Sequence, residues 1–146
     1  PPNMGIYNTA KAAVVSLTET LYQDLTLVTD QIGASLLCPY FVPTGITSSE
    51  RNRPNAPKET ELTKSQLIGQ AMSNKAVSSG KITAAEVAAK VFDAISDNQF
   101  YVFSHPKALG NVRSRMENIV SITNPADPFL ERPEIGQKLR EQLRSA

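Results

Sequence analysis

The chain has 146 residues, of which 40% are hydrophobic, 20% charged and 6% aromatic. This ordinary globular composition excludes collagen-like, disulfide-rich and wholly disordered chains. Fifteen Lys and Arg residues against fourteen Asp and Glu give a net charge of +1, which leaves no basic excess to hold a nucleic-acid backbone. No apolar run approaches the roughly 18–20 residues that a membrane helix needs. We therefore expect a cytoplasmic protein with no nucleic-acid or membrane partner.

A single cysteine, Cys38, and a single histidine, His105, limit the metal and redox chemistry of the chain. One cysteine cannot form an internal disulfide, and one Cys with one His cannot build a usual structural zinc site. Cys38 lies in an apolar run, which favours a small buried residue over a nucleophile. For His105 we expect a structural or substrate-side role, and no metal site is predicted.

The first residues, Pro1-Pro2-Asn3-Met4-Gly5, include no initiator methionine, no charged segment and no apolar segment, so they do not form a signal peptide. A helical pattern begins directly after them, as though the chain were entered in the middle of a fold. We interpret the sequence as the C-terminal part of a longer protein.

The first predicted elements are a long helix and a short strand. Over residues 6–29, apolar residues recur at three- and four-residue steps, and we expect this stripe to belong to the core: Val14, Leu17, Leu21, Leu25 and Val28. Residues 34–38 form a continuous apolar run of the kind found in parallel strands covered on both faces, and Pro39 ends it. Prolines at positions 43, 54 and 57 predict an irregular stretch over 40–62.

Two helices and a second strand follow. The first helix is predicted over 63–78, and the second begins after Thr83, because Thr83 and Glu86 have the spacing of a capping box. The second helix is expected to end near Asn98 and to carry its apolar face on Ala88, Val91, Phe92 and Ile95. Residues 100–103 are rich in strand formers, and helical stretches at 107–122 and 134–145 complete the chain, the last of them polar.

This order of elements predicts an α/β fold. Strands separated by helices pair in parallel through crossover connections, so the chain is expected to form the C-terminal part of a doubly wound parallel sheet. Two strands cannot make such a sheet alone, and the remaining strands are expected to come from residues before Pro1.

Tyr7 and Lys11 are the strongest candidates for chemistry. At positions i and i+4 of a helix they share one face, with Cβ atoms ~5–6 Å apart. A nearby cation favours the ionised phenol, which is what a tyrosine needs to act as a general acid or base near neutral pH. The same spacing also arises by chance in many helices, where it means a half-exposed tyrosine beside a solvated lysine.

The context of this pair resembles the short-chain dehydrogenase/reductase family. In that family Tyr-x-x-x-Lys opens a long helix, and the next strand runs into Pro-Gly-x-Val-x-Thr. Here the second motif reads Pro39-Tyr40-Phe41-Val42-Pro43-Thr44. The resemblance covers residues 1–105 and implies half of a Rossmann-like domain with a substrate lid over about 45–80, followed by a helical extension over 106–146.

The resemblance implies an oxidoreductase that uses NAD or NADP to interconvert a secondary alcohol and a ketone, in a homodimer or homotetramer. Tyr7 would be the catalytic acid/base and would also contact the cofactor. Lys11 would bind the nicotinamide ribose and assist Tyr7 in catalysis. The second motif would supply the other site residues, with cofactor contacts from Pro39, Val42 and Thr44 and substrate-side positions at Tyr40 and Phe41. The segment by itself is expected to be inactive.

The sequence departs from the family pattern in two ways. The glycine after the proline is replaced by Tyr40, which either lines the substrate pocket or packs within its loop. The Gly-rich phosphate loop and the family's catalytic serine and asparagine would lie before Pro1. These departures leave a second hypothesis, a non-catalytic oligomerisation or scaffold module. A hydrolase built on Cys38 and His105 is rejected, because no orienting acid or oxyanion loop accompanies them.

Overall fold

The computed structural model describes residues 4–52, 54 and 62–144, and within these ranges it confirms the α/β class. The described residues form five α-helices, two short 3₁₀ helices and one two-stranded sheet. In chain order the elements are α1 (Gly5–Val28), β1 (Leu36–Cys38), a 3₁₀ helix (Gly45–Asn52), α2 (Lys64–Ser78), α3 (Ala84–Ser96), β2 (Tyr101–Phe103), a second 3₁₀ helix (Pro106–Leu109), α4 (Gly110–Val120) and α5 (Pro133–Arg144).

The two strands pair in parallel, as predicted. Leu36 lies opposite Tyr101, and Cys38 lies opposite Phe103. The pairing begins with the N–H of Leu36, which donates to the carbonyl oxygen of Phe100 at 2.6 Å. Because the strands are parallel, the loops that follow β1 and β2 leave from the same edge of the sheet.

The buried apolar core within the described residues lies between the sheet and α3. It consists of Leu36, Val102, Val87 and Ala94. The small side chain of Ala94 allows α3 to pack closely on β2. The expected apolar face of α3 is therefore wrong in part, because Phe92 and Ile95 are 71% and 59% exposed.

The capping box at the start of α3 is confirmed. The Thr83 hydroxyl accepts the N–H of Glu86 at 3.2 Å, and the Glu86 carboxylate accepts the N–H of Thr83 at 2.7 Å. The bond from the Thr83 backbone, followed by the one from its hydroxyl, holds the pKa of Glu86 below its ordinary value. Helix α2 starts with an equivalent box formed by Thr63 and Gln66, which the sequence analysis did not identify.

The apolar stripe of α1 does not enter the core of the described structure, so that expectation is wrong here. Leu17 is 71% exposed, and Val14 and Leu21 are about half exposed. The helix instead turns Glu19 and Tyr22 toward β2 and the residue before it, since these two side chains contact Tyr101 and Phe100.

Two further boundaries differ from prediction. The stretch predicted as irregular contains the 3₁₀ helix Gly45–Asn52, stabilised by the Arg51 guanidinium, which donates to the carbonyl oxygens of Gly45 and Ser48 at 3.2 and 3.1 Å. Pro43 and Pro54 lie outside this helix, and Pro57 lies outside the described residues. The helix predicted over 107–122 is divided, because the 3₁₀ helix Pro106–Leu109 precedes α4.

Candidate functional site

The candidate site residues lie in two parts of the chain, at the start of α1 and in the loops that follow β1 and β2. In open α/β sheets, ligands bind outside the carboxyl ends of the strands. The loop after β1 contains the second sequence motif, residues 39–44. The loop after β2 begins with Ser104 and His105, which follow Phe103 directly.

Tyr7 and Lys11 are brought together on the first and second turns of α1. The Lys11 Nζ lies 5.5 Å from the centroid of the Tyr7 ring, which is a cation–π distance. Tyr7 is 48% exposed, so its hydroxyl is accessible from solvent. The predicted pair therefore exists as a contact, while its acid–base role stays a prediction.

The helix that carries this pair is fixed to β2 by polar and aromatic contacts. The Tyr101 hydroxyl donates to the Glu19 carboxylate at 2.6 Å, and the Tyr22 ring lies 4.9 Å from the Phe100 ring. The bond to Glu19 raises the pKa of Tyr101, because ionising the phenol would break it and place two negative charges together.

The loop after β1 is held by a buried serine from the loop after β2. The N–H of Tyr40 donates to the Ser104 hydroxyl oxygen at 2.8 Å, and the His105 Nδ1 lies 2.9 Å from the same oxygen. Ser104 is 4% exposed, and it is the buried polar residue of the described structure. The two loops are thereby joined at their first residues.

Tyr40 packs within this pair of loops. Its ring contacts the Phe41 ring at 4.5 Å and the His105 ring at 5.5 Å between centroids. Half of the Tyr40 side chain remains exposed. Tyr40 therefore packs within its loop, which was one of its two expected roles. A substrate-side role for Tyr40 and Phe41 stays a prediction.

The cofactor-side candidates of the motif follow along the same loop. Val42 is half-buried, whereas Pro39 is exposed. The Thr44 hydroxyl oxygen accepts the N–H of Ile46 at 3.4 Å. The hydrogen of the Thr44 hydroxyl takes no part in this bond. In the described residues, no hydrogen bond or ring contact joins Tyr7 or Lys11 to residues 39–44.

Three residues at or near the site were not predicted from the sequence, namely Ser104, Glu19 and Gly80. Ser104 and Glu19 each contact a residue far away in the sequence, and Gly80 lies against the loop after β1. The available signals were a small polar residue at the end of a strand, a charged residue on a helix face that meets the sheet, and a glycine after a helix. None of these signals indicates which distant residue the side chain or glycine will contact.

Cys38 and His105 have surroundings that suit structural residues. Burial raises the pKa of the Cys38 thiol, and the negative charge of Glu19 adds to the effect, so the thiol stays protonated near neutral pH. The His105 ring is hydrogen-bonded to the Ser104 hydroxyl and packs against the Tyr40 ring. Across residues 4–52, 54 and 62–144, no three His, Cys, Asp or Glu side chains are grouped to hold a metal ion.

The predicted lid and the C-terminal segment meet at one cavity of about 300 Å³. Lys64, Leu67 and Ile68 of α2 line it together with Gln142 of α5. Residues that were assigned to separate segments therefore share a surface.

Of the helices in the described ranges, none is long and apolar enough to cross a bilayer.

Comparison with known proteins identifies the family. No protein-family model matches the chain. A curated relative from Lactiplantibacillus plantarum, described as a CLA biosynthesis dehydrogenase/reductase, is 31% identical over 124 residues, which make up 82% of this chain and 43% of the relative. The crystal structure of a short-chain dehydrogenase/reductase from Burkholderia phymatum in complex with NAD matches with a TM-score of 0.84 and 52% identity, over 88% of this chain and 46% of that one.

The chain belongs to the short-chain dehydrogenase/reductase family, and its α/β elements are part of a Rossmann-like fold. It spans less than half the length of both relatives.

Proposed function

We propose that the protein containing this chain is an NAD-dependent oxidoreductase that interconverts a secondary alcohol and a ketone. The observation that carries the proposal is the contact between Tyr7 and Lys11 at the start of α1, in a chain 52% identical to a relative crystallised with NAD. A solvent-accessible phenol beside an ammonium group is suited to proton transfer.

The residues present fit a nicotinamide cofactor at the carboxyl edge of the sheet. Lys11 offers an ammonium to ribose hydroxyls, and Thr44 offers a hydroxyl hydrogen to a pyrophosphate oxygen. Ser104 fixes the start of the loop that contains Val42, whose main chain would meet the nicotinamide carboxamide. When bound, the cofactor supplies the hydride chemistry, and the protein supplies orientation and proton transfer.

The proton would move through the Tyr7 hydroxyl. In the reducing direction Tyr7 donates its proton to the carbonyl oxygen of the substrate, and in the oxidising direction it takes the proton of the alcohol. The positive charge of Lys11 stabilises the negative charge that develops on the Tyr7 oxygen. Residues 45–80 would cover the substrate as a lid, and Tyr40 and Phe41 would lie on its side of the site.

Replacement of Tyr7 by Phe in the full-length protein tests the proposal. We expect turnover of a panel of ketones with NADH to fall by about 10²–10⁴-fold, because general acid–base catalysis is lost. The dissociation constant of NADH should change little. Tyr22→Phe is the matched control, since it removes a phenol oxygen from the same helix, and it should keep normal turnover. Near-normal turnover in Tyr7→Phe would show that the role of Tyr7 is wrongly assigned.

The second candidate function is a non-catalytic oligomerisation or scaffold module. The exposed apolar stripe of α1, which includes Leu17, favours it, because such surfaces are covered in assemblies. Titration of the full-length protein with NADH and NADPH separates the two functions. A scaffold has no reason to bind either cofactor at micromolar concentration, whereas the oxidoreductase must bind one of them.

A further inference from the structure

Gly80, just beyond the end of α2, lies in direct contact with the loop after β1. A Cβ atom at Gly80 would stand 2.6 Å from the carbonyl oxygen of Phe41, 3.1 Å from its carbonyl carbon, and 2.7 Å from the Cδ of Pro43. Ordinary contacts of a Cβ atom are longer than these distances. Two of the three atoms belong to the main chain, so no side-chain rotation could make room.

Close packing of this kind is not general among the glycines, although a Cβ at Gly136 would also lie 2.9 Å from the Phe129 Cβ. Gly69, within α2, and Gly110, at the start of α4, have no atom within 4 Å of the position where a Cβ would lie. Gly80 is also fixed to its own helix, because its N–H donates to the carbonyl oxygen of Val77 at 3.1 Å. A side chain at this position would therefore have to displace the end of α2 or the loop against it.

The loop is thereby held at two points. Its first part is fixed where Tyr40 donates to Ser104 at 2.8 Å, and its later part lies against Gly80. Val42 lies between these points, and Thr44 follows the second one. Both residues are cofactor-side candidates in the proposed function, so the position of the loop main chain decides where their groups can act.

We propose that Gly80 is a positioning residue that holds residues 41–43 in the conformation needed for cofactor binding, by allowing α2 to end against their main chain. The inference rests on the proposed function and adds a residue outside both family motifs to its site. It also joins the end of the lid to the cofactor side of the site. Displacements of about 1 Å can cost on the order of 100-fold in rate, so a single added methyl group is sufficient to reveal the effect.

The test compares Gly80→Ala with Gly69→Ala in the full-length protein. Both variants add one methyl group, Gly69→Ala within α2 and Gly80→Ala just beyond its end, but only Gly80→Ala meets main-chain atoms of the loop after β1. We expect Gly80→Ala to raise the dissociation constant of NADH by about fivefold or more, and to raise the cofactor KM by a larger factor than it lowers kcat. Gly69→Ala should leave these constants within about twofold of the unmutated protein. A purely structural role would lower the melting temperature of Gly80→Ala without this selective loss of cofactor affinity.

Replacement of Pro43 supplies a second, independent readout. Pro43→Ala alone removes a contact of the loop and should raise the NADH dissociation constant by about two- to threefold. Combined with Gly80→Ala, it removes one of the three close contacts and should recover part of the lost affinity. Pro43→Ala should therefore weaken NADH binding in the unmutated protein and strengthen it in Gly80→Ala. If Gly80→Ala does not fold, Pro43→Ala alone decides, and an unchanged dissociation constant overturns the inference.

The two proposals fail in different ways. If the unmutated protein binds neither NADH nor NADPH, the proposed function is wrong and the role of Gly80 falls with it. If the unmutated protein binds NADH and Gly80→Ala binds it equally well, only the inference about Gly80 is overturned.

Discussion

Ser104 connects two loops through one hydroxyl group. The N–H of Tyr40 depends on this oxygen, in a partly buried setting where water is a poor substitute. A buried donor that loses its acceptor costs about 1–3 kcal/mol. Ser104 is thus important to the site because its hydroxyl group holds the start of the loop after β1 in place.

Ser104→Ala should therefore destabilise the full-length protein by about 1–3 kcal/mol, because the N–H of Tyr40 is left without its acceptor. Urea unfolding at neutral pH measures this change in the free energy of unfolding. Ser96→Ala is the control, since the Ser96 hydroxyl is exposed and only bonds back to the carbonyl oxygen of Phe92 within α3. Equal effects in the two variants would contradict the role given to Ser104.

At this scale the sequence predicts local pairs and misses distant ones. The contact between Tyr7 and Lys11 follows from helix geometry, since residues four apart share a face. The bond between Tyr40 and Ser104 joins residues 64 positions apart. It depends on the pairing of β1 with β2, and no pattern around either residue specifies its partner.

The helices α2 and α3 begin with matching capping boxes that differ in charge. The box of α3 uses Glu86, and that of α2 uses the neutral Gln66. Hydrogen bonds from Thr83 depress the pKa of Glu86 in the folded state. Its contribution to stability is therefore present above the ordinary pKa of a glutamate and is lost as the pH falls through the depressed value.

We expect Glu86→Gln to reduce the loss of stability between about pH 5 and pH 3, because an amide keeps the box without titrating. Gln66→Glu is the reciprocal variant and should increase that loss. Urea unfolding of the full-length protein across this pH range measures both. The expectation is wrong if the two variants follow the pH dependence of the unmutated protein.

Helix positions were predicted well, but the buried face of α3 was not. The capping box defines where α3 starts, which is local information. The face that packs is set by β2, which selects Val87 and Ala94 and leaves the larger Phe92 exposed. Apolar residues surround much of this helix, so periodicity alone did not distinguish the two faces.

The whole described structure leaves large apolar side chains exposed on two helices. Leu17 of α1 and Phe92 of α3 are each 71% exposed. When such side chains form a continuous patch, another part of the protein or a partner usually covers it. The chain spans less than half of its relatives, and we expect the rest of the full-length protein to cover the outer face of α3.

Phe92→Ala should then destabilise the full-length protein by about 3–5 kcal/mol, the usual cost of removing a buried phenylalanine. Leu130→Ala is the control, because Leu130 is 75% exposed in the C-terminal segment and should change stability by about 0.5 kcal/mol or less. Chemical unfolding measures both values. A small effect at both positions would mean that Phe92 faces solvent in the full-length protein as well.

The register of the sheet has a consequence for how such a protein can diverge. The chain leaves β1 at Cys38 and returns at Tyr101 on the neighbouring strand, so the intervening segment starts and finishes on a fixed frame. We expect insertions, deletions and replacements in the part of this segment before α3 to change its length and surface while the strand pairing is kept. Tyr7 and Lys11 lie outside it, on α1. We therefore expect the exposed surface of this segment to vary among relatives more freely than Tyr7 and Lys11, with Gly80 and the core residues Val87 and Ala94 as positions where packing limits the change.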